Sequence, residues 1–349
     1  MPPSPSSVLP SPLISIIVPA YNRADEIEEF LSSFEKQTSK NFEVLVVDDG
    51  SADTTKQIVE NHIPNLELKY FFQQNKGPGA ARNLGMKSAK GDIFVFIDSD
   101  CTVPIDYIEN LTHHLDNENF DAFGGPDTRH ESFSPFLKAI NYSMTSFIGT
   151  GGTRGSKGKR LAKYYPRSFN MGIKREIFDS IGGMNSLRHG QDMEFSNRIY
   201  NAGFKVVYFD DVPVYHKRRT NLKKFFKQIF NWGVTRINLG RLDSKMLKLV
   251  HFLPAIALTG YLVSLILAFF INAFLLIFLG ESALLVLLLI FACIQSAIKN
   301  KSLFVGLLSI MTLLTQVIAY GAGLLTGLVK SIFVKKGQWI TGFTKKYYK

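Results

Sequence analysis

Ile93-Phe94-Val95-Phe96-Ile97-Asp98-Ser99-Asp100 is the stretch on which the fold class turns. Five apolar residues rich in β-branched and aromatic side chains read as a strand buried on both faces, and the run ends at once in two carboxylates. The pattern recurs upstream. Residues 44–47 are apolar and lead into Asp48-Asp49-Gly50-Ser51, and residues 14–18 lead into Pro19-Ala20-Tyr21-Asn22. Residues 66–72 form another such run. Between the runs the period becomes helical: Ile27, Phe30, Leu31 and Phe34 share one face of a predicted helix. Strands alternating with helices imply βαβ units and an α/β, mostly parallel sheet covered on both faces. Such sheets bind ligands beyond the carboxyl ends of their strands, where these polar and acidic loops fall.

One Asp at a strand end is ordinarily a helix cap, and Asp53 reads as one. Four carboxylates along one sheet edge, Asp48-Asp49 and Asp98-Ser99-Asp100, repel one another unless a cation or a donor-rich ligand compensates.

Beyond residue 248 the composition changes. Residues 250–279, 282–298 and 303–329 are long apolar runs, each near the roughly 20 residues that a helix needs to cross a bilayer. The formal charge of +11 is concentrated: residues 217–248 carry ten Lys/Arg against Asp243 alone, residues 154–167 carry six and no acid, and residues 330–349 six and no acid. Basic clusters beside apolar spans fit anionic headgroups better than nucleic acid. Residues 222–241, drawn as a helix, put Leu222, Phe226, Ile229, Phe230, Gly233 and Ile237 on one face and Lys223, Lys224 and Lys227 on the other, the pattern of an interfacial helix. Residues 1–12 are Pro/Ser-rich and read as a disordered leader without a signal peptide, which leaves the domain in the cytosol. Cys101 and Cys293 suggest neither a disulfide nor a metal cluster.

Five elements in order resemble the family 2 glycosyltransferases: Val18-Pro19-Ala20-Tyr21-Asn22, Val46-Val47-Asp48-Asp49-Gly50-Ser51, Gly79-Ala80-Ala81-Arg82-Asn83, Phe96-Ile97-Asp98-Ser99-Asp100 and Gly190-Gln191-Asp192. The resemblance implies a GT-A type, Rossmann-like nucleotide-binding domain over residues 13–216, then a basic interfacial segment over 217–248, about three transmembrane helices over 249–330 and a basic tail over 331–349. It implies a metal-dependent, inverting hexosyltransferase that uses a nucleotide sugar, UDP-linked by default, with Pro19, Ala20, Tyr21, Asn22, Asp49, Arg82, Asp98 and Ser99 around the donor. Asp100 and His216 would hold Mg²⁺ or Mn²⁺, hard ions that prefer carboxylate oxygen and neutralise a departing diphosphate. Asp192 would be the general base, and it also reads as the N-cap of a helix over 193–201. Gln191 departs from the family's Glu at that place and carries no charge.

Gln228-Ile229-Phe230-Asn231-Trp232 resembles the QxxRW pattern of processive synthases, 36 residues beyond Asp192, with Asn231 in place of Arg. Single transfer is therefore preferred over a processive polysaccharide synthase. Gln191, Gln228, Trp232 and Arg236 are candidates for a lipid-linked acceptor presented at the cytosolic face of the membrane, the inner membrane if the cell is bacterial. Oligomerisation stays open. A non-catalytic membrane scaffold is the rival class, and retention of Asp49, Asp98, Asp100 and Asp192 argues against it. A nicotinamide oxidoreductase would need a third glycine after Gly77-Pro78-Gly79.

The topology carries a conflict. With the link at Gly280-Glu281 outside and that at Lys299-Asn300-Lys301 inside, three full crossings put the basic tail outside, against the positive-inside rule. Gln316, Gly321, Gly323 and Gly327 mark residues 303–329 as the candidate for re-entry without crossing.

Overall fold

The computed structural model describes residues 13–128, 133–151, 164–187, 189–216, 221–335 and 337–343. The leader 1–12, and most of the basic stretch 154–167, lie outside them. Strands β1 (Ile14–Ala20), β2 (Phe42–Asp48), β3 (Leu68–Phe72), β4 (Ile93–Ile97), β5 (Cys101–Thr102), β6 (Ala122–Gly124), β7 (Asp127–Thr128), β8 (Asn170–Lys174), β9 (Val206–Tyr208) and β10 (Val214–His216) make two sheets. The larger has the order β3-β2-β1-β4-β8-β6-β9, and the smaller β5-β10-β7. β1, β2, β3 and β4 run parallel, whereas β8 is antiparallel to β4 and to β6.

The first four helices are α1 (Ala24–Glu35), α2 (Thr55–His62), α3 (Pro78–Ser88) and α4 (Tyr107–Asn117). Ile27, Phe30, Leu31 and Phe34 of α1 are fully buried against one face of the sheet with Val18, Val44 and Val46, as their period predicts. Ile17, Leu45, Phe94 and Phe96 pack on the other face with Met86 and Phe195. Ala20 pairs with Asp48, so β1 and β2 finish level and their loops emerge side by side.

The other helices are α5 (Pro135–Thr145), α6 (Phe147–Thr150), α7 (Arg175–Ile181), α8 (Gln191–Asn201), α9 (Leu222–Leu242), α10 (Leu253–Ala268), α11 (Asn272–Asn300) and α12 (Leu303–Phe333). Two compact units result. One holds the sheets, with residues up to 128, 165–186 and 191–216; the other holds 129–164, 187–190 and everything from 217 on. The stretch 133–151, left in the α/β domain by the sequence, therefore clusters with the C-terminal helices: Ser143 Oγ lies 2.6 Å from Thr312 Oγ1, and Tyr142 donates to Gln295 at 2.7 Å.

Three helices, over Leu249–Ala268, Asn272–Asn300 and Leu303–Phe333, are long and apolar enough to cross a membrane. The expected break at Gly280-Glu281 is corrected. α11 runs through it, and the chain reverses at Phe269, Phe270 and Ile271 instead. Glu281 is tolerated inside the helix because Ser264 Oγ of α10 donates to it at 2.5 Å, a partner that inspection of α11 alone does not reveal. The expected caps also shift. Thr54 is the N-cap of α2, with Asp53 accepting from Thr55 N and Ala24 N, both at 3.1 Å, and Asp192 sits inside the first turn of α8.

Glu43, buried in β2, accepts from Ser15 Oγ (2.8 Å), Lys69 Nζ (2.6 Å) and Lys90 N (2.5 Å). Burial raises its pKa, but these donors outweigh burial and hold it below the ordinary 4.5. A carboxylate with a depressed folded pKa stabilises the fold above its unfolded pKa and loses this as pH falls through the folded value. Glu43→Gln is therefore expected to cost about 1–3 kcal/mol near neutral pH, the scale of hydrogen bonds to a charged group. The gap to the native protein should close below pH 4.5, as thermal unfolding in detergent across that range would record.

Candidate active site

The carboxyl ends of β1, β2 and β4 bring the predicted loops together in the sheet unit. Asn22 occupies the left-handed region (φ 49°), which Asn tolerates, and clasps the next loop: its N–H donates to Ser51 Oγ and its Oδ1 accepts from Ala52 N, both at 2.8 Å. Pro19 and Ala20 are buried, while Tyr21 is half-buried at the rim. Asp48 is structural. It accepts from Ser51 N at 2.7 Å and from Tyr70 OH at 2.6 Å. Asp49 is fully buried and accepts from Gln73 Nε2 (2.6 Å), Lys76 N (2.8 Å) and Gly77 N (2.8 Å), which fixes the turn that opens α3.

α3 carries the Gly79 to Asn83 element. A Cβ on Gly79 would lie 2.6 Å from Gln191 Oε1, so glycine is what lets α3 approach the start of α8. Asn83 seals the same seam by donating to Met184 O and accepting from Met184 N, both at 2.8 Å. Gln191 is buried here. Its packing role needs no charge, which accounts physically for an amide at that place.

Also on α3, buried Arg82 pairs with Asp98. Asp100 Oδ1 lies 3.2 Å from His216 Nε2, and His216 Nδ1 lies 3.7 Å from Asp127 Oδ1. His216 lies within β10, whose residues pair with Cys101-Thr102 on one side and Asp127-Thr128 on the other. Asn170 holds this arrangement, accepting from Tyr107 OH and donating to Val212 O, both at 2.7 Å. Burial raises the pKa of Asp98, with Arg82 opposing it. Burial lowers that of His216, but Asp100 and Asp127 outweigh it and push the value up to about 10. Three carboxylates thus demand positive charge, which Arg82 and a protonated His216 supply.

The residues fit a divalent ion. Ligand atoms of Asp100, Cys101 and His216 all lie within 4.8 Å of one another, and the carboxylate oxygen of Asp100 suits Mg²⁺ or Mn²⁺. A cation held there would supply the charge that the imidazolium proton now provides. Cys101, read from the sequence as part of no metal cluster, is brought beside Asp100 and His216 by the pairing of β5 with β10, and Asp127 escaped the sequence reading because a two-residue strand carries no period and no motif. Ser99, 8% exposed, sits between Asp98 and Asp100.

Asp192 stands apart from this acidic group in its bonding. Its Oδ1 accepts from Met193 N at 2.8 Å and lies 3.9 Å from Arg167 Nη1, and its Oδ2 accepts from Ser168 N at 3.4 Å. Gln228, Trp232 and Arg236 are partly exposed on α9, in the other unit.

The mostly parallel sheet with acidic loops at its carboxyl edge is the GT-A architecture. Solved structures share it: the mannosyltransferase PcManGT from Pyrobaculum calidifontis, in complex with GDP-Man and Mn²⁺, has a TM-score of 0.61 at 18% identity, over 88% of this chain and 87% of that one. TarS 1–349 from S. aureus, in complex with UDP-GlcNAc, gives 0.51 at 19% identity over 95% and 97%. The model of glycosyl transferase family 2 matches residues 15–182. Glycosyltransferase AglE from Haloferax volcanii is 31% identical over 257 residues, 70% of this chain and 82% of that one. The chain belongs to glycosyl transferase family 2 and is a membrane-associated glycosyltransferase.

Proposed function

We propose that the protein is an inverting, metal-dependent transferase that moves one sugar from a nucleotide sugar, UDP-linked, to a lipid-linked acceptor at the cytosolic membrane face, for glycan or polysaccharide assembly. The observation that carries this reading is the convergence of Arg82–Asp98 and Asp100–His216 at the carboxyl edge of the sheet, with Asp192 bonded separately. Tyr21 stacks on the donor base and Asp49 accepts its ring N–H. Arg82, Asp98 and Ser99 hold the ribose and diphosphate. Mg²⁺ or Mn²⁺ on Asp100 and His216 would neutralise charge on the departing nucleoside diphosphate. Asp192 takes the proton of the acceptor oxygen, a sugar hydroxyl of a lipid-linked sugar or the monoprotonated phosphate of a polyprenyl phosphate, as that oxygen attacks C1, and attack opposite the leaving group inverts that centre. The complexes of PcManGT with GDP-Man and Mn²⁺ and of TarS with UDP-GlcNAc support a nucleotide-sugar donor.

Asn231 bears on processivity. Buried, and accepting from Phe343 N at 3.0 Å, it anchors a main-chain segment where a processive synthase has an arginine, which favours single transfer. The acceptor assignment rests on α9, where Lys223, Lys224 and Lys227 are exposed and Gln228, Trp232 and Arg236 recur along one flank. With the membrane helices intact, a polyprenyl phosphate or lipid-linked sugar is expected to be used far better than a water-soluble sugar, and Trp232→Ala to reduce its use. Efficient use of the soluble acceptor alone, unaffected by Trp232→Ala, would refute the lipid-linked assignment.

A further inference from the structure

α10 and α11 form an antiparallel pair: Tyr261 OH lies 3.1 Å from Ser282 Oγ, and Ser264 donates to Glu281. Extended along both helices, this register sets Pro254, at the start of α10, opposite about residue 289 of α11. The last turns of α11 therefore run past the point where α10 enters the bilayer. There they meet α5 through Tyr142 and Gln295, and α12 through Ser296 and Ser309 at 2.6 Å.

α12 begins at that level and does not leave it. Thr312 bonds Ser143 of α5, and Gln316 Nε2 donates to Gly149 O of α6 at 2.5 Å. Farther along, a Cβ on Gly321 would lie 2.9 Å from Pro254 O, once more the entry point of α10. A Cβ on Gly323 would lie 2.1 Å from Phe230 O of α9, and Gly327 abuts Ile237. The chain beyond α12 then returns to α9: Asn238 Nδ2 donates to Ile340 O at 2.8 Å, Ile340 N donates to Asn238 Oδ1 at 2.9 Å, and Arg241 donates to Val334 O at 2.9 Å. α5 is inserted between β7 and β8, and α9 follows β10 after residues 217–221, a link far too short to traverse a bilayer about 30 Å thick. Both ends of α12 thus touch α5 and α9, helices whose links to the neighbouring strands are too short to cross a bilayer.

The surface of α12 agrees. Gly306, Ser309, Thr312, Gln316, Ala319, Gly323 and Gly327, small or polar, form its protein-facing stripe and are buried, while Phe304, Leu307, Met311, Ile318, Val329 and Phe333 on the other side are exposed. Close approach of backbones through small residues is how helices pack where lipid gives no hydrophobic drive. We infer that α12 does not cross the membrane: it lies along one membrane face beside α5 and α9, with its apolar stripe in the lipid, and α10 and α11 are the only crossings among the described helices. Lys299 and Lys301 before α12, and Lys330 and Lys335 at its end, then all face the same side. The conflict over the basic tail disappears.

The test uses the full chain in sealed, oriented membranes and a membrane-impermeant maleimide. The native Cys101 and Cys293 are buried. Cysteine introduced by Lys87→Cys in α3, Lys301→Cys or Lys335→Cys should label from one side, and by Phe270→Cys from the opposite side. Labelling of Lys335→Cys together with Phe270→Cys would overturn the inference. Nitroxides at Leu307, Ile318 and Val329 give a second, independent reading. Equal, shallow depths support an interfacial helix, whereas a maximum at Ile318 near the bilayer centre would overturn it.

Discussion

Asp192→Asn should lower sugar transfer by about 10²–10⁴-fold, the contribution of a positioned general base, while donor binding stays unchanged. The substitution is nearly isosteric. The Asn oxygen can still accept from Met193 N, the shorter of the two hydrogen bonds that hold the native carboxylate, while the amide nitrogen takes the place of the oxygen that accepts the 3.4 Å bond from Ser168 N. What is lost is the ability to take a proton from an acceptor hydroxyl. The check is a comparison of turnover with donor affinity in the same preparation. Retention of more than about a tenth of native turnover would remove Asp192 from the role of base.

Asp100→Ala should act on the opposite half of the reaction. Metal-dependent donor binding should vanish, and transfer should fall by on the order of 10³-fold, since charge stabilisation by a bound cation is worth several kcal/mol. The geometry explains why one carboxylate matters so much: Asp100 and His216 bring their ligand atoms to one point, whereas Asp98 is already paired with Arg82. Titration of the nucleoside diphosphate with and without Mn²⁺ reads the effect directly. Binding that keeps its full metal dependence in the variant would contradict the assignment. Together the two substitutions separate donor loading from proton removal.

Much of the catalytic unit was legible before any coordinates, because its strands are buried on both faces and must be apolar without interruption. Ile14, Val44, Phe94 and Ile97 are at most 3% exposed, and the polar loops that interrupt them were correspondingly visible. Short elements were not. β5, β7 and β10 hold two or three residues each, so the contact that sets His216 between Asp100 and Asp127 comes from strand pairing that no local pattern encodes.

Hydropathy found the apolar C-terminal runs but misplaced their punctuation. It broke α11 at Gly280-Glu281, where a serine of α10 makes the carboxylate tolerable, and missed the reversal at Phe269-Phe270-Ile271, which is as apolar as its surroundings. The glycines of α12 marked it as the candidate for re-entry without crossing; it is one continuous helix that uses them to approach α9 and α10 closely. Residues 133–151 show the same limit. Serines and tyrosines are neutral signals along the chain, and only the folded chain reveals their partners on α11 and α12.

The central claim, metal-dependent transfer from a nucleotide sugar to a lipid-linked acceptor, is tested most directly with the detergent-solubilised full chain. It is incubated with a panel of nucleotide sugars, a polyprenyl phosphate or lipid-linked sugar, and Mn²⁺ or Mg²⁺, and both released nucleoside diphosphate and sugar in the lipid extract are measured. One donor should release its diphosphate and place its sugar in the lipid extract, with both signals lost on chelation and in Asp192→Asn. Folded protein that turns over no donor of the panel, with or without metal, would contradict the account.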